Sequence, residues 1–396
     1  MGVTANPYLT GQRGKTTLQV LNRTVALANT NLVNIGGGAI RPFGSIGSTI
    51  YGFNNGGDVL FSSTDLGSNW TQVAGITLGN PVGGSGNCRS IHLCPDGEVL
   101  VLRDSNLVKS VGWGGGSPTW ANKATISTVT GATQSQFKEW GIDFRGYYGI
   151  LTEYHNTWGS LSSASNVWIT TDGGDTWTVE LSTGTSPFLD FATHWHGVCI
   201  DQWQRRFYVS MGHGDEVGLY VRDFDDSTWY PVDIEPHKLD TLRSTSASMA
   251  LYSCFTQMCA TPRGIYLGTD DFPSAIVEVR SNQATASQRG EVIYIDDELD
   301  LMPWWIECGL YHPSSGAVLL GTKLTPSVTT QEPRVYGCID GKASLIWEYP
   351  NDPGTNSNVS IRTIIDAGDG NVLIVVQLNT DFWTLSADVV VSSWVM

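Results

Sequence analysis

Apolar residues in this chain come in short runs, and most runs stop at a turn built from Gly, Pro or Asp. Phe255 to Cys259 and Ile265-Tyr266-Leu267 flank Pro262-Arg263-Gly264. Ile306 to Tyr311 and Ala317-Val318-Leu319-Leu320 flank Pro313 to Gly316, and Ile361 to Ile365 and Val372 to Val376 flank Gly368-Asp369-Gly370. Val198-Cys199-Ile200 with Arg206-Phe207-Tyr208-Val209 makes a further pair. Short runs rich in β-branched and aromatic residues, bounded by turn formers, predict antiparallel strand pairs. Long Ala/Glu/Lys/Leu-rich stretches of the helical kind are missing. The expected class is all-β.

Two segments share one pattern. Ser63-Thr64-Asp65-Leu66-Gly67-Ser68-Asn69-Trp70 and Thr170-Thr171-Asp172-Gly173-Gly174-Asp175-Thr176-Trp177 both read S/T-x-D-x-G-x-x-W. Each follows a strand-like run, Asp58-Val59-Leu60-Phe61 or Asn166-Val167-Trp168-Ile169. The Asp carboxylate can accept backbone N–H bonds within the turn, the Gly permits positive φ, and the Trp folds back on the core. The two aspartates stand two repeats apart at about 53 residues per repeat. A degenerate repeat fills the gap: Glu98-Val99-Leu100-Val101-Leu102, then a Gly-rich loop from Gly112 to Gly116, then Trp120.

The motif resembles the Asp box (BNR repeat) of sialidase-like β-propellers. That resemblance implies a single β-propeller of four-stranded antiparallel blades spanning residues 31–396. The chain beyond Asp172 has room for about four more repeats, which makes seven blades, with six as the alternative because 270–300 is irregular. Residues 1–30 are read as an N-terminal arm or a closing strand, with Thr24-Val25-Ala26-Leu27 placed beside Val389-Val390-Val391. In the family the boxes lie at the blade periphery, so Ser63, Asp65, Gly67 and Trp70, with Thr170, Asp172, Gly174 and Trp177, are structural.

Charge narrows the partners. The chain carries 22 basic against 38 acidic residues, a net charge of −16, and no dense Lys/Arg stripe. Nucleic acid is therefore not an expected ligand. No apolar run reaches membrane-spanning length, so membrane insertion is not expected either. The opening Met1-Gly2-Val3-Thr4 shows no basic-then-apolar leader, so either a leader is removed before residue 1 or none is used. The seven cysteines lack zinc-motif spacing, and several sit in apolar runs, so they are read as free, buried thiols.

Aligning the inner strands on their turns gathers Arg89, Glu139, His196, Glu307 and Arg362 at one mouth of the channel, beside Lys138 and Trp305. Polar and aromatic groups converging from separate blades are what a ligand-binding mouth needs. His194 and His196 share one strand face in Thr193-His194-Trp195-His196-Gly197, and His213 and Asp215 follow the paired strand. Three histidines and an aspartate suit proton transfer, ligand contact, a metal or a structural cluster. No metal ligand set is assigned. The acidic loops Asp223 to Asp226 and Ile295 to Asp300 match no twelve-residue calcium loop and are expected as solvated turns. No cofactor is required, and structural Ca²⁺ is the one ion these loops allow.

Sialidases of this fold use an arginine triad for the substrate carboxylate, a Tyr/Glu nucleophile pair and an Asp acid/base. Ile40-Arg41-Pro42 stands near the place of the family's Arg-Ile-Pro, with the order changed, so Arg41 is carried over. Arg89 and Arg362 join it by position alone. The catalytic candidates are His196, His213, Glu139 and Glu307. The ligand-binding candidates are Arg41, Arg89, His194, His196, Asp215, Trp305 and Arg362. The His-Trp-His-Gly segment also resembles sialidase-like propellers encoded in the tail regions of actinobacterial phages. The expected function is a carbohydrate- or receptor-binding propeller, a phage minor tail or tail-tip protein that contacts host-surface glycan and other tail proteins, located in the virion tail or outside the cell. A sialidase-like glycoside hydrolase, or a polysaccharide lyase with a histidine base, is the alternative.

Overall fold

Each apolar run pairs with its neighbour across the intervening turn, and the pairs extend into antiparallel four-stranded groups in the computed structural model, one of which gains a fifth, parallel strand at Asp233–Glu235. The structure describes residues 21–34, 40–54, 59–77, 88–115, 118–127, 134–156, 165–185, 194–212, 217–235, 254–270, 275–295, 304–324, 333–349, 359–378 and 381–395. Three groups run outward from Arg41–Ile46 to Thr71–Thr77, from Cys88–Leu93 to Thr119–Thr125, and from Ile142–Arg145 to Thr178–Ser182. Three more run from His194–Asp201 to Tyr230–Pro231, from Phe255–Thr261 to Arg289–Ile295, and from Trp304–His312 to Lys342–Glu348. The last comprises Val359–Gly368, Asn371–Leu378, Asp381–Val395 and the N-terminal strand Leu21–Asn34. A single bridge, Lys323 to Ser360, joins it to its predecessor.

The groups pack face to face around a ring, which explains the unbroken apolar runs. A strand covered on both faces has no polar side to alternate with, and Val99–Arg103 is buried throughout. Outermost strands regain exposure, as in Lys342–Glu348. Buried apolar clusters lie at the junctions, one between each successive pair of groups. The ring closes where Ile50 of the first group packs on Ile365, Leu373 and Val375 of the last, and where Ser45 Oγ donates to the Asp366 carbonyl at 2.7 Å. All seven cysteines are buried thiols outside any disulfide. Burial pushes the Cys94 and Cys259 thiols up to about 12.

The N-terminal strand lies antiparallel to the C-terminal one, with Val25 opposite Val391, Ala26 opposite Val390 and Leu27 opposite Val389. The same strand runs on through Asn31–Asn34, past a bulge between Ala28 and Asn31. The N-terminal strand thereby completes the last group as its outermost strand, so one group is built from both ends of the chain. The irregular stretch after 270 resolves into Ala275–Arg280 and Arg289–Ile295, separated by a short 3₁₀ turn at Thr285–Ser287.

Both S/T-x-D-x-G-x-x-W segments link the third strand of a group to the fourth. Asp65 Oδ1 accepts from Ser63 Oγ at 2.7 Å and from the Asn69 N–H at 2.9 Å. Asp172 Oδ1 accepts from Thr170 Oγ1, Asp175 N–H and Thr176 N–H at 2.8, 3.0 and 2.9 Å. Burial works against the Asp172 charge, but these bonds prevail and bring its pKa down to about 2. The indoles land on glycines of the second strand. A Cβ on Gly52 would meet Trp70 at 3.0 Å, and one on Gly149 would meet Trp177 at 2.7 Å. Trp177 is 6 % exposed, whereas Trp70 is half-buried.

Candidate functional site

The inner strands share a distortion that the sequence does not announce. Register slips by one residue between Pro42 and Gly44, Cys88 and Ser90, Phe255 and Gln257, Ile306 and Cys308, and Ile361 and Thr363. The extra residues are Phe43, Arg89, Thr256, Glu307 and Arg362; a wider slip spans His196 and Gly197. A bulge bends its strand and re-aims the unpaired side chain. Arg89, Glu307 and Arg362 thus leave the sheet ladder and line the mouth of the channel. Glu139 gets there differently. It opens a 3₁₀ turn, Glu139–Gly141, ahead of its inner strand, which corrects its placement within that strand.

Together with Arg41, Lys138, Lys323, Gln136 and Gln377, these residues line a cavity of about 310 Å³. A narrower space of about 180 Å³ continues down the channel past His92, Cys259 and Tyr311. The cavity wall carries five cations, Arg41, Arg89, Lys138, Lys323 and Arg362, against two carboxylates, Glu139 and Glu307. Burial and the nearby charges of Arg362 and Arg89 hold Arg41 below the ordinary guanidinium value. The three arginines face one another's charge across the same space. Arg89 is fixed by Asp104 at 2.5 Å and Glu139 at 3.4 Å, and Arg362 donates to Gln377 Oε1 at 2.5 Å.

The carboxylates are already engaged. Burial would raise the Glu139 pKa, but Arg89 and Lys138 overcome it and hold the group below the usual carboxylate range. Glu307 accepts from Lys323 Nζ through both oxygens, at 2.9 and 2.7 Å. Burial brings Lys138 down to about 8, despite the opposing pull of Glu139 and Glu307. Its ammonium also sits 5.0 Å above the Tyr154 ring. Trp305 is half-buried beside the cavity, with the Lys323 ammonium 5.3 Å over its ring.

His194 and His196 are not on the cavity wall. Both are buried, Nε2 to Nε2 at 2.6 Å, with Trp140 and Tyr154 packed on them. His213 and Asp215 lie outside the described residues. Of the acidic loops, Asp223 pairs with Arg206 at 3.0 Å and Asp225 with Arg205 at 3.1 Å, so Asp223 to Asp226 form a turn tied to arginines; 296–300 lie outside the described residues.

With this geometry in hand, comparison with solved structures decides the architecture. The chain superposes on a structure of the mitotic checkpoint complex with a TM-score of 0.55, covering 98 % of each chain at 8 % identity. YCF48 from Cyanidioschyzon merolae matches at 0.52 and 10 % identity, over 89 % of this chain and 98 % of that one. The WD40 repeats of RRP9 match at 0.52 and 10 % identity, over 92 % and 100 %. The fold is a β-propeller. At such identities the likeness reaches the fold alone. No protein-family model matches the chain, and the search of curated proteins returns no match.

Sequence reasoning passed over Lys323, Gln136 and Gln377. Lys323 had a visible signal, a lone cation near the end of the apolar run Ala317–Leu324. Gln136 and Gln377 had none, since each reads as an ordinary polar position at a strand end.

Proposed function

We propose that this chain is a seven-bladed, sialidase-like propeller that binds a carboxylate-bearing glycan at its channel mouth and does not cleave it, as an attachment protein of a virion tail or an extracellular surface. The supporting observation is the convergence of Arg41, Arg89 and Arg362 on one cavity, in a protein whose overall charge is −16. Guanidinium groups recognise carboxylates through paired, charge-assisted hydrogen bonds. The two S/T-x-D-x-G-x-x-W turns support the family reading, and their peripheral position removes them from ligand contact.

Binding is favoured over turnover because of the state of the carboxylates. A glycosidase needs one protonated carboxyl as acid and a second carboxylate as base or nucleophile. Glu139 is held ionised by cations, and Glu307 is bonded to Lys323 through both oxygens. Among the described residues no Tyr or Asp lines the wider part of the cavity, where the three arginines converge; Tyr311 and Asp143 line only the narrower space below it.

The test is a binding and turnover screen on sialosides, uronic-acid polymers and matched neutral glycans. Arg362→Ala should weaken binding of the acidic glycans about 10- to 150-fold, the equivalent of one charge-assisted hydrogen bond. Product release abolished by Glu307→Gln would replace this reading with a glycosidase, and product release abolished by His196→Ala with a lyase. Equal binding of neutral and acidic glycans would refute the carboxylate reading.

A further inference from the structure

Behind the mouth, three metal-ligating side chains from two adjacent blades point at one spot. Cys254 immediately precedes the inner strand Phe255–Thr261, and Asp270 immediately follows its partner Gly264–Thr269. The Asp270 N–H donates to the Cys254 carbonyl at 3.1 Å, which holds the two side by side at the end of their hairpin. His196 comes from the neighbouring inner strand. Its Nδ1 lies 3.2 Å from Cys254 Sγ and 3.3 Å from Asp270 Oδ2, and the three donor atoms fall within 4.8 Å of one another. Cys254 and His196 are buried, and Asp270 keeps 15 % of its side chain exposed on the approach from solvent.

The direction of these contacts separates a metal site from a catalytic relay. In a nucleophile–His–Asp relay the thiol and the carboxylate address opposite ring nitrogens. Here both address Nδ1, so the three donors face a common centre. Tetrahedral zinc with ordinary Zn–N, Zn–O and Zn–S lengths sets its donors roughly 3.3–3.6 Å apart, close to the 3.2 and 3.3 Å at which His196 Nδ1 already meets the sulfur and the carboxylate. The other ring nitrogen is committed as well. His196 Nε2 sits 2.6 Å from His194 Nε2; in the tautomer that donates from His196 Nε2 to His194, the Nδ1 lone pair faces the thiol and carboxylate, as a metal ligand requires. The ring has also been given its space: a Cβ on Gly212 would stand 2.2 Å from His196 Nε2.

We infer that His196 Nδ1, Cys254 Sγ and Asp270 Oδ2 form a zinc site that clasps the inner strands of two adjacent blades. The donor set is one thiolate, one imidazole and one carboxylate, a mixture that suits borderline-soft Zn²⁺ better than Ca²⁺ or Mg²⁺. Binding replaces the thiol S–H bond with Zn–S and releases that proton to solvent, so affinity rises with pH. The thiolate and carboxylate together cancel the ion's double charge, which lets the site remain buried.

The experiment uses the full chain, purified under reducing conditions without chelator. It combines metal analysis, titration of the stripped protein with Zn²⁺, and titration with Co²⁺ as a coloured probe. One ion per chain, a higher Tm with Zn²⁺ and a thiolate-to-cobalt charge-transfer band are expected. The band should vanish in Cys254→Ser, and Asp270→Asn should weaken Co²⁺ binding at least tenfold with a changed visible spectrum. His194→Gln, which touches His196 and no metal, should weaken affinity about 10- to 100-fold. Absence of the band from the fully reduced chain would overturn the assignment, as would its persistence in Cys254→Ser. Should Cys254→Ser not fold, Asp270→Asn at the exposed edge of the site still decides: unchanged cobalt affinity and spectrum would sink the proposal.

Discussion

Replacing Arg41 with methionine should push stability and binding in opposite directions. Methionine keeps an unbranched apolar stem and deletes the guanidinium. In the empty mouth that guanidinium suffers from burial and from the charges of Arg362 and Arg89. Like charges at a half-exposed site repel by about 0.5–1 kcal/mol per neighbour after screening. Two such neighbours make the ligand-free variant about 1 kcal/mol more stable, or at worst neutral once lost hydrogen bonds are subtracted. In a chain of 396 residues that is a rise in Tm of about 1–2 °C. The same change removes a charge-assisted contact to the ligand carboxylate, costing about 1.5–3 kcal/mol of affinity, or about 10- to 150-fold. Thermal melts of the ligand-free protein at low and high salt, with calorimetric titration of an acidic glycan, measure both halves. The stability gain should shrink as salt rises. A ligand-free Tm several degrees below wild type would refute the argument, because the favourable contacts of Arg41 would then outweigh its repulsion by Arg362 and Arg89.

Two further outcomes follow from the same geometry. Trp177→Ala should cost about 3–5 kcal/mol, as large aromatic truncations in a core do, and Trp70→Ala only about half as much because Trp70 is half-buried; urea unfolding of both variants checks the ranking, which equal costs would contradict. Acidic-glycan affinity should fall as pH rises through about 8, where Lys138 loses its proton in the ligand-free mouth, and Lys138→Met should flatten that part of the profile.

The architecture was legible because its signals are local. A turn glycine, a turn aspartate and an apolar run each state their structure within a few residues, and the pairing of Val25 with Val391 joins two apolar runs at opposite ends of the chain. The mouth was legible only in part. Counting back from turn glycines located Arg89, Glu307 and Arg362, since the bulge recurs at the same depth in each strand. It misplaced Glu139, whose blade replaces the bulge with a 3₁₀ turn. The counting also took His196 for a wall residue, because neither burial nor the approach of Cys254 and Asp270 is written in the spacing around a histidine. Cys254 reads as a small hydrophobe in sequence, and the neighbouring blade brings His196 Nδ1 to its sulfur.

The same bulge position serves two ends around the ring, and that division sets where a ligand can sit. On one side it locks blades together. Thr152 Oγ1 donates to the His196 carbonyl at 2.9 Å, and Thr256 Oγ1 donates to the Ile306 carbonyl at 2.7 Å. A Cβ on Gly197 would lie 2.2 Å from the Thr256 carbonyl, so the backbones there touch and leave no room for a guest. On the other side the position carries Arg89, Glu307 and Arg362, whose side chains reach open space instead of a neighbouring carbonyl. The mouth is therefore eccentric, sealed over the groups that begin at His194 and Phe255 and open over the others. A ligand entering it meets the three arginines from one side only, which suits a terminal acidic sugar presented end-on better than a polymer threaded through the channel.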